Sequence, residues 1–163
     1  SAYFTYDGGV IELGSFGPCK ATPGEPVTLA SEGLDNQPAR RSLGEIVIQK
    51  LRIPINLGWI DSKGSLRHAL EVAGVTDVNS NDYGIHQSYV PELVHLRLGE
   101  TIFIRGQRYR VTQKVVVHNK QSDAMNYLLD HYATIVTCIK VGDEWPHNLV
   151  FVLQPKRIGP ISD

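Results

Sequence analysis

The alternation of apolar and polar positions changes character near Glu45. Before it, "GSFGPCKATPGEP" is dense in Gly and Pro and "SEGLDNQPARRSLG" is polar, and neither holds a period of 2 or 3.6. Residues 1–44 are therefore expected to be an irregular N-terminal extension. From Glu45, "EIVIQKLRIPINL" predicts extended segments, with Pro54 at an edge or bulge because it cannot donate to a ladder. "SLRHALEVAG" predicts a short helix: Ser65 caps it, Leu66, Ala69, Leu70 and Ala73 share a face, and Gly74 stops it. "NSNDYGIHQS" predicts a turn and a very short strand, and "VPELVHLRLGE" a helical turn opened by Pro91.

The clearest hairpin is "TIFIRGQRYRVTQKVVV", two apolar runs joined at Arg105-Gly106-Gln107. A helix "AMNYLLDHY", capped by Ser122 or Asp123, leads into the β-branched run "ATIVTCIK". After a turn-prone "KVGDEWPH", "NLVFVLQP" predicts a last buried strand. Strands dominate, helices are short and connections brief. That pattern favours a β-barrel or sandwich over a doubly wound α/β sheet.

Composition narrows the classes. A chain of 163 residues suits one domain with a sizeable core, and 42% apolar with 20% charged residues is ordinary for a globular protein. Sixteen Lys+Arg against 17 Asp+Glu leave a charge of -1, and no basic run is interleaved with aromatics, so a nucleic-acid partner is not expected. No apolar stretch approaches the roughly 20 residues that span a bilayer. Ser1-Ala2 is an unusual start, which fits a trimmed leader or anchor.

The candidate chemistry centres on Cys138, at the end of the β-branched run. A thiol titrating near pH 8.5 needs a neighbouring base, and oxyanion donors, to act as a nucleophile. Six histidines (His68, His86, His95, His118, His131 and His147) are available, and spacing alone does not select one. His86, in "YGIHQ", lies where a small-residue turn meets a short strand and would expose an imidazole. No histidine pair has zinc spacing, and there is no Gly-rich phosphate loop, so neither metal nor cofactor is expected.

The ordered motifs resemble one family. "TIVTC" resembles the Thr-Leu-X-Thr-Cys signature of sortases, the cysteine transpeptidases of bacterial cell surfaces. "IVIQKLRIPINL" resembles their opening strand pair, with Gln49 in place of the usual proline. "LEVAGV" resembles the segment leading to the family's histidine, "GIHQS" its Ala-Gly-His motif, "PELVHLRLGETIFI" and "GQRYRV" the segments that follow. The resemblance runs from about Glu45 to Leu153. It implies a mainly β fold, a closed barrel of about eight strands with a few short helices over residues 45–163. Residues 1–44 would pack on that barrel or act as a lid.

By the same resemblance, Cys138 is the nucleophile, His86 its partner, and Thr137 and Val136 lie beside the bound substrate. The family's arginine is replaced by Asn148. The implied reaction cleaves a peptide sorting signal through a thioacyl-enzyme and transfers it to an amine, from a cell-wall peptide or a pilin lysine. The implied place is the outer face of a bacterial membrane, reached through an anchor outside this chain. The alternative is a peptide-binding module that has lost turnover with the arginine. An L,D-type transpeptidase shares little with "IVTCIK". Cys19, in "FGPCK", is expected to be a small buried hydrophobe, with a Cys19–Cys138 bridge as the competing reading.

Overall fold

Residues 11–12, 42–60, 62, 66–69, 71–87, 89–118, 122–141 and 144–156 are described by a computed structural model. Their strands are β1 (Ile11–Glu12), β2 (Glu45–Ile48), β3 (Leu51–Leu57), β4 (Trp59–Ile60), β5 (Leu66–Arg67), β6 (Ala73–Val75), β7 (Asp82–Gly84), β8 (Thr101–Ile104), β9 (Gln107–Val117), β10 (Ala133–Val141) and β11 (Glu144–Pro155). A 3-10 turn spans Pro91–His95 and one α-helix, α1, spans Ser122–His131.

Nine strands form one sheet in the order β1-β9-β11-β10-β7-β6-β3-β2-β8, and pairing of β8 with β9 closes it. The result is the expected mixed β-barrel of eight strands, with β1 added in parallel at the far end of β9. The long β9 makes this possible: its first residues pair with β8, while Val115 and Val116 pair with Ile11 and Glu12.

Alternation along each strand separates two apolar groups. Ile46, Ile53, Ile55, Ile102, Ile135, Leu149, Phe151 and Leu153 fill the barrel. Val115, Val117, Val150 and Val152 face outwards and are covered by Met125 and Leu128 of α1. Burial of each large aliphatic chain contributes about 1.5–3 kcal/mol, so the outer face under α1 is held by the same effect as the interior. The exposed Arg52–Glu45 ion pair adds little by comparison.

Turn chemistry follows the sequence at the β8–β9 hairpin. Arg105 (φ 52) and Gly106 (φ 80) both take the left-handed region, the requirement of a two-residue type I′ turn. Pro54 sits opposite Glu45, one residue before β3 begins to pair with β6 at Ile55, so its missing donor costs no ladder bond on that side.

One predicted element is overturned. "SLRHALEVAG" is not a helix: Leu66–Arg67 pairs with Trp59–Ile60, and Ala73–Val75 lies parallel to Ile55–Leu57. Val72, Ala73 and Val75 are all buried, and Gly74 is a strand residue, not a helix stop. Inter-strand pairing and two-sided burial override the helical spacing, which a 10-residue window cannot enforce. The proposed cap, Ser65, lies outside the described residues. The strand after "KVGDEWPH" also begins earlier than expected, at Glu144.

Candidate active site

The barrel carries Cys138 on β10 and Asn148 on β11, and His86 lies just beyond the end of β7, the strand on the other side of β10. β7 and β10 run parallel with Asp82, Tyr83 and Gly84 level with Thr134, Ile135 and Val136. Ile85 extends this by donating its N–H to the Val136 carbonyl at 2.9 Å. Two residues beyond the Gly84–Val136 pair, His86 follows the end of β7 while Cys138 is still within β10. On the other side of β10, Cys138 is directly opposite Asn148 of β11, and Asn148 is opposite Val117 of β9. Ile85, Ile139 and Leu149 point into the barrel, so their neighbours His86, Cys138 and Asn148 turn to its outer face.

The Cys138–Asn148 pair is thus set by register, with strands about 4.8 Å apart. Cys138 is half-buried, whereas Asn148 and His86 are each 6% exposed. Asn148 Oδ1 lies 3.8 Å from Cys138 Sγ, a contact that a free thiol would make as donor. Here the sulfur has no proton to give: Cys138 is disulfide-bonded, and there is no free cysteine among the described residues. The chain's other cysteine is Cys19, which lies outside the described residues together with most of the 1–44 extension.

Val136 is half-buried against the apolar group under α1. Thr137 points into the barrel, 2% exposed, and its hydroxyl is buried without a hydrogen-bond partner. Position 137 therefore meets the interior of the barrel, on the opposite side of the sheet from Cys138.

His86 is neutral in character. Burial lowers its pKa, while a hydrogen bond to the His68 backbone raises it; the Arg67 charge lowers it further and Glu71 raises it. The bond joins His86 Nε2 to the His68 carbonyl at 3.2 Å. A carbonyl only accepts, so Nε2 carries the proton and Nδ1 keeps the lone pair. His68 packs on it, ring centroids 4.2 Å apart and planes 31° from parallel. The sequence reading placed His68 in a helix and gave it no role. Nothing in its spacing marks it, because the contact depends on strand pairing between β4–β5 and β6–β7.

The other histidines lie elsewhere. His118 and His147 meet edge-on at 4.2 Å, and His131 holds the Tyr127 carbonyl through Nδ1 at the end of α1. Among the described residues no group of three or more His, Cys, Asp or Glu could hold a metal ion, and no helix is long and apolar enough to cross a membrane.

The backbone matches several solved structures over most of its length. Sortase C of Streptococcus pneumoniae aligns at TM-score 0.55 and 20% identity, covering 87% of this chain and 84% of that one. Sortase C-1 of Actinomyces oris aligns at TM-score 0.56 and 18% identity, covering 88% of each. The protein has a sortase-like fold. Sortase C of Clostridium perfringens, solved with the C-terminal cell wall sorting motif, aligns with this sortase-like chain at TM-score 0.52 and 18% identity, over 77% of it and 76% of the other. No protein-family model matches the chain, and no curated protein matches it.

Proposed function

We propose that this sortase-like protein is a cysteine transpeptidase that acts on a peptide sorting signal at the bacterial cell surface. The observation that carries the reading is Cys138 directly opposite Asn148, with Asn148 Oδ1 3.8 Å from the sulfur, and His86 just beyond the end of β7 on the other side of β10. The sorting motif present in the Clostridium perfringens structure supports the class of substrate. The fold shared with cell-surface enzymes supports the location.

The chemistry starts from the reduced protein. A dithiol reductant first opens the disulfide and leaves Cys138 as a thiol. His86 Nδ1 takes the thiol proton as Sγ attacks the carbonyl carbon of the scissile peptide bond. The C–N bond breaks, the proton passes from His86 to the leaving amine, and a thioester remains on Cys138. An acceptor amine attacks that thioester, a new C–N bond forms, and the sulfur departs, taking a proton again through His86. Burial lowers the His86 pKa, which favours the neutral imidazole that can accept the thiol proton. Asn148 brings its amide beside the sulfur, the oxygen facing Sγ and the NH2 group as its donor for substrate, without the permanent charge and forked donors of a guanidinium.

The test is turnover of a candidate sorting peptide by the reduced protein, with a thioacyl adduct trapped on Cys138 and seen by mass spectrometry. Loss of adduct and turnover in Cys138→Ala is the expected result. The competing reading, a binding module without turnover, is favoured by the uncharged residue at position 148. It predicts peptide binding without any adduct, and unchanged binding in Cys138→Ala.

A further inference from the structure

We propose that His68 is the positioning residue of this site: it selects the protonated nitrogen of His86 and fixes the plane of its ring. The proposal rests on the transpeptidase reading only for its consequence at Cys138; the effect on His86 stands on geometry alone.

The slot that holds His68 is built from two glycines. Gly74 of β6 and Gly84 of β7 are directly paired across those strands. A methyl group at Gly74 would come within 2.6 Å of His68 Cδ2, and one at Gly84 within 2.9 Å of Leu66 Cδ2 and 3.3 Å of His68 Nε2. Both positions are closed to a side chain because the imidazole lies against the bare backbone. His68 is 5% exposed, and its Nδ1 lies 2.9 Å from the Ala69 carbonyl, to which it donates. A side chain so seated cannot turn, and its backbone carbonyl is held where His86 Nε2 meets it.

Two consequences follow for His86. With Nε2–H committed to the His68 carbonyl, only Nδ1 is left as a base. With the His68 ring packed against it at 4.2 Å, the His86 plane is fixed relative to the end of β7, the strand that pairs with the cysteine strand β10. The pair also resists protonation. Burial and the neighbouring His86 bring the His68 pKa down to about 3, against the backbone bonds to Ala69 and Val72; the Arg67 charge works in the same direction. The titratable groups facing His86 are His68, Arg67, Glu71 and, across β10, Cys138 once reduced.

The experiment uses the reduced full chain and two variants, His68→Ala and Gly74→Ala; the second displaces the ring without changing either histidine. Nitrogen-15 spectra report the His86 tautomer and its titration, and iodoacetamide alkylation across pH reports the reactivity of Cys138. Wild type is expected to show the Nε2–H tautomer and a titration below the ordinary histidine value. In each folded variant the His86 signals should move to a tautomer mixture with the titration shifted upwards. Turnover should fall by about 10² in kcat with KM little changed, the size expected for a misplaced catalytic group. Unchanged His86 tautomer and titration in either folded variant overturns the proposal. If the His86 signals move but the alkylation profile of Cys138 stays as in wild type, His68 still positions His86, and it is the His86–Cys138 transpeptidase pair that fails.

Discussion

Cys138 and Asn148 are Cα partners across β10 and β11, and the Asn148 side chain reaches the sulfur at 3.8 Å. Antiparallel pairing puts directly opposed side chains on the same face of the sheet, so this contact is built into the register and does not rely on a loop. A one-residue slip of either strand would send one of the two into the barrel. The polar amide is thereby fixed beside the attacking sulfur.

Asn148→Ala should therefore slow acylation of the reduced protein by about 10²–10³, the usual cost of one oxyanion donor. Stopped-flow measurement of thioacyl formation checks this. A rate within a factor of about two of wild type would remove Asn148 from the reaction.

The disulfide at Cys138 predicts that turnover depends on reductant. The intact protein should gain two hydrogens on treatment with a dithiol, and only then accept an alkylating reagent at Cys138. Cys19 is the sole sequence partner. Glu12 of β1 pairs with Val116 of β9, which Leu149 of β11 links to Thr137 of β10. Three strand spacings of about 4.8 Å separate β1 from β10, well within reach of the segment from Glu12 to Cys19 at about 3.3 Å per residue. Cys19→Ser should be active without reductant. An intact mass unchanged by reduction would exclude the bridge.

Acid should destabilise the fold through the buried histidines. The pKa of His68 is lowered from 6.5 to about 3, and that of His86 is also lowered. A depressed folded pKa means stability that is present above pH 6.5 and lost as pH falls towards 3, because the unfolded chain binds the proton first. Each such proton contributes up to about 1.4 kcal/mol per pH unit within that window. Urea denaturation at pH 7, 5.5 and 4 should show the decline, shallower in His68→Phe. A flat profile would mean that neither histidine is held neutral.

Asp82 works with the opposite sign. Burial raises its pKa to about 6, against a hydrogen bond donated by Thr134 Oγ1 at 3.0 Å; Asp130 adds to the rise. A raised carboxyl contributes stability below its unfolded value of 3.8 and loses it as pH climbs through 6. Asp82→Asn, neutral at every pH, should thus raise the denaturation midpoint above pH 6 relative to wild type. Equal midpoints at pH 8 would contradict the shift.

Gly106→Ala offers a control remote from the site. Nothing lies within 4 Å of an added methyl group, yet φ is +80, so the cost is conformational. A loss of about 1 kcal/mol is expected, with alkylation of reduced Cys138 unaltered.

Much of this architecture was legible in the chain. The β8–β9 hairpin was readable because Arg105-Gly106 carries its own turn chemistry, and the cysteine strand because Thr134 to Thr137 are stiff at χ1 and branched. Local conformational preference of this kind survives without knowledge of the rest of the fold. The ordered motifs also singled out His86, Cys138 and Asn148, and through their resemblance the sortase-like barrel.

Only the tertiary structure decided what residues 66–75 are and why His68 matters. Leu66, Ala69, Leu70 and Ala73 have helical spacing, but β5 and β6 each find a partner strand, and the hydrogen bonds and burial gained there outweigh a weak local helix preference. The fit of one imidazole against Gly74 and Gly84, and the placing of Cys138 opposite Asn148, depend on pairings between distant segments. Register is a property of two strands together, and no single segment encodes it.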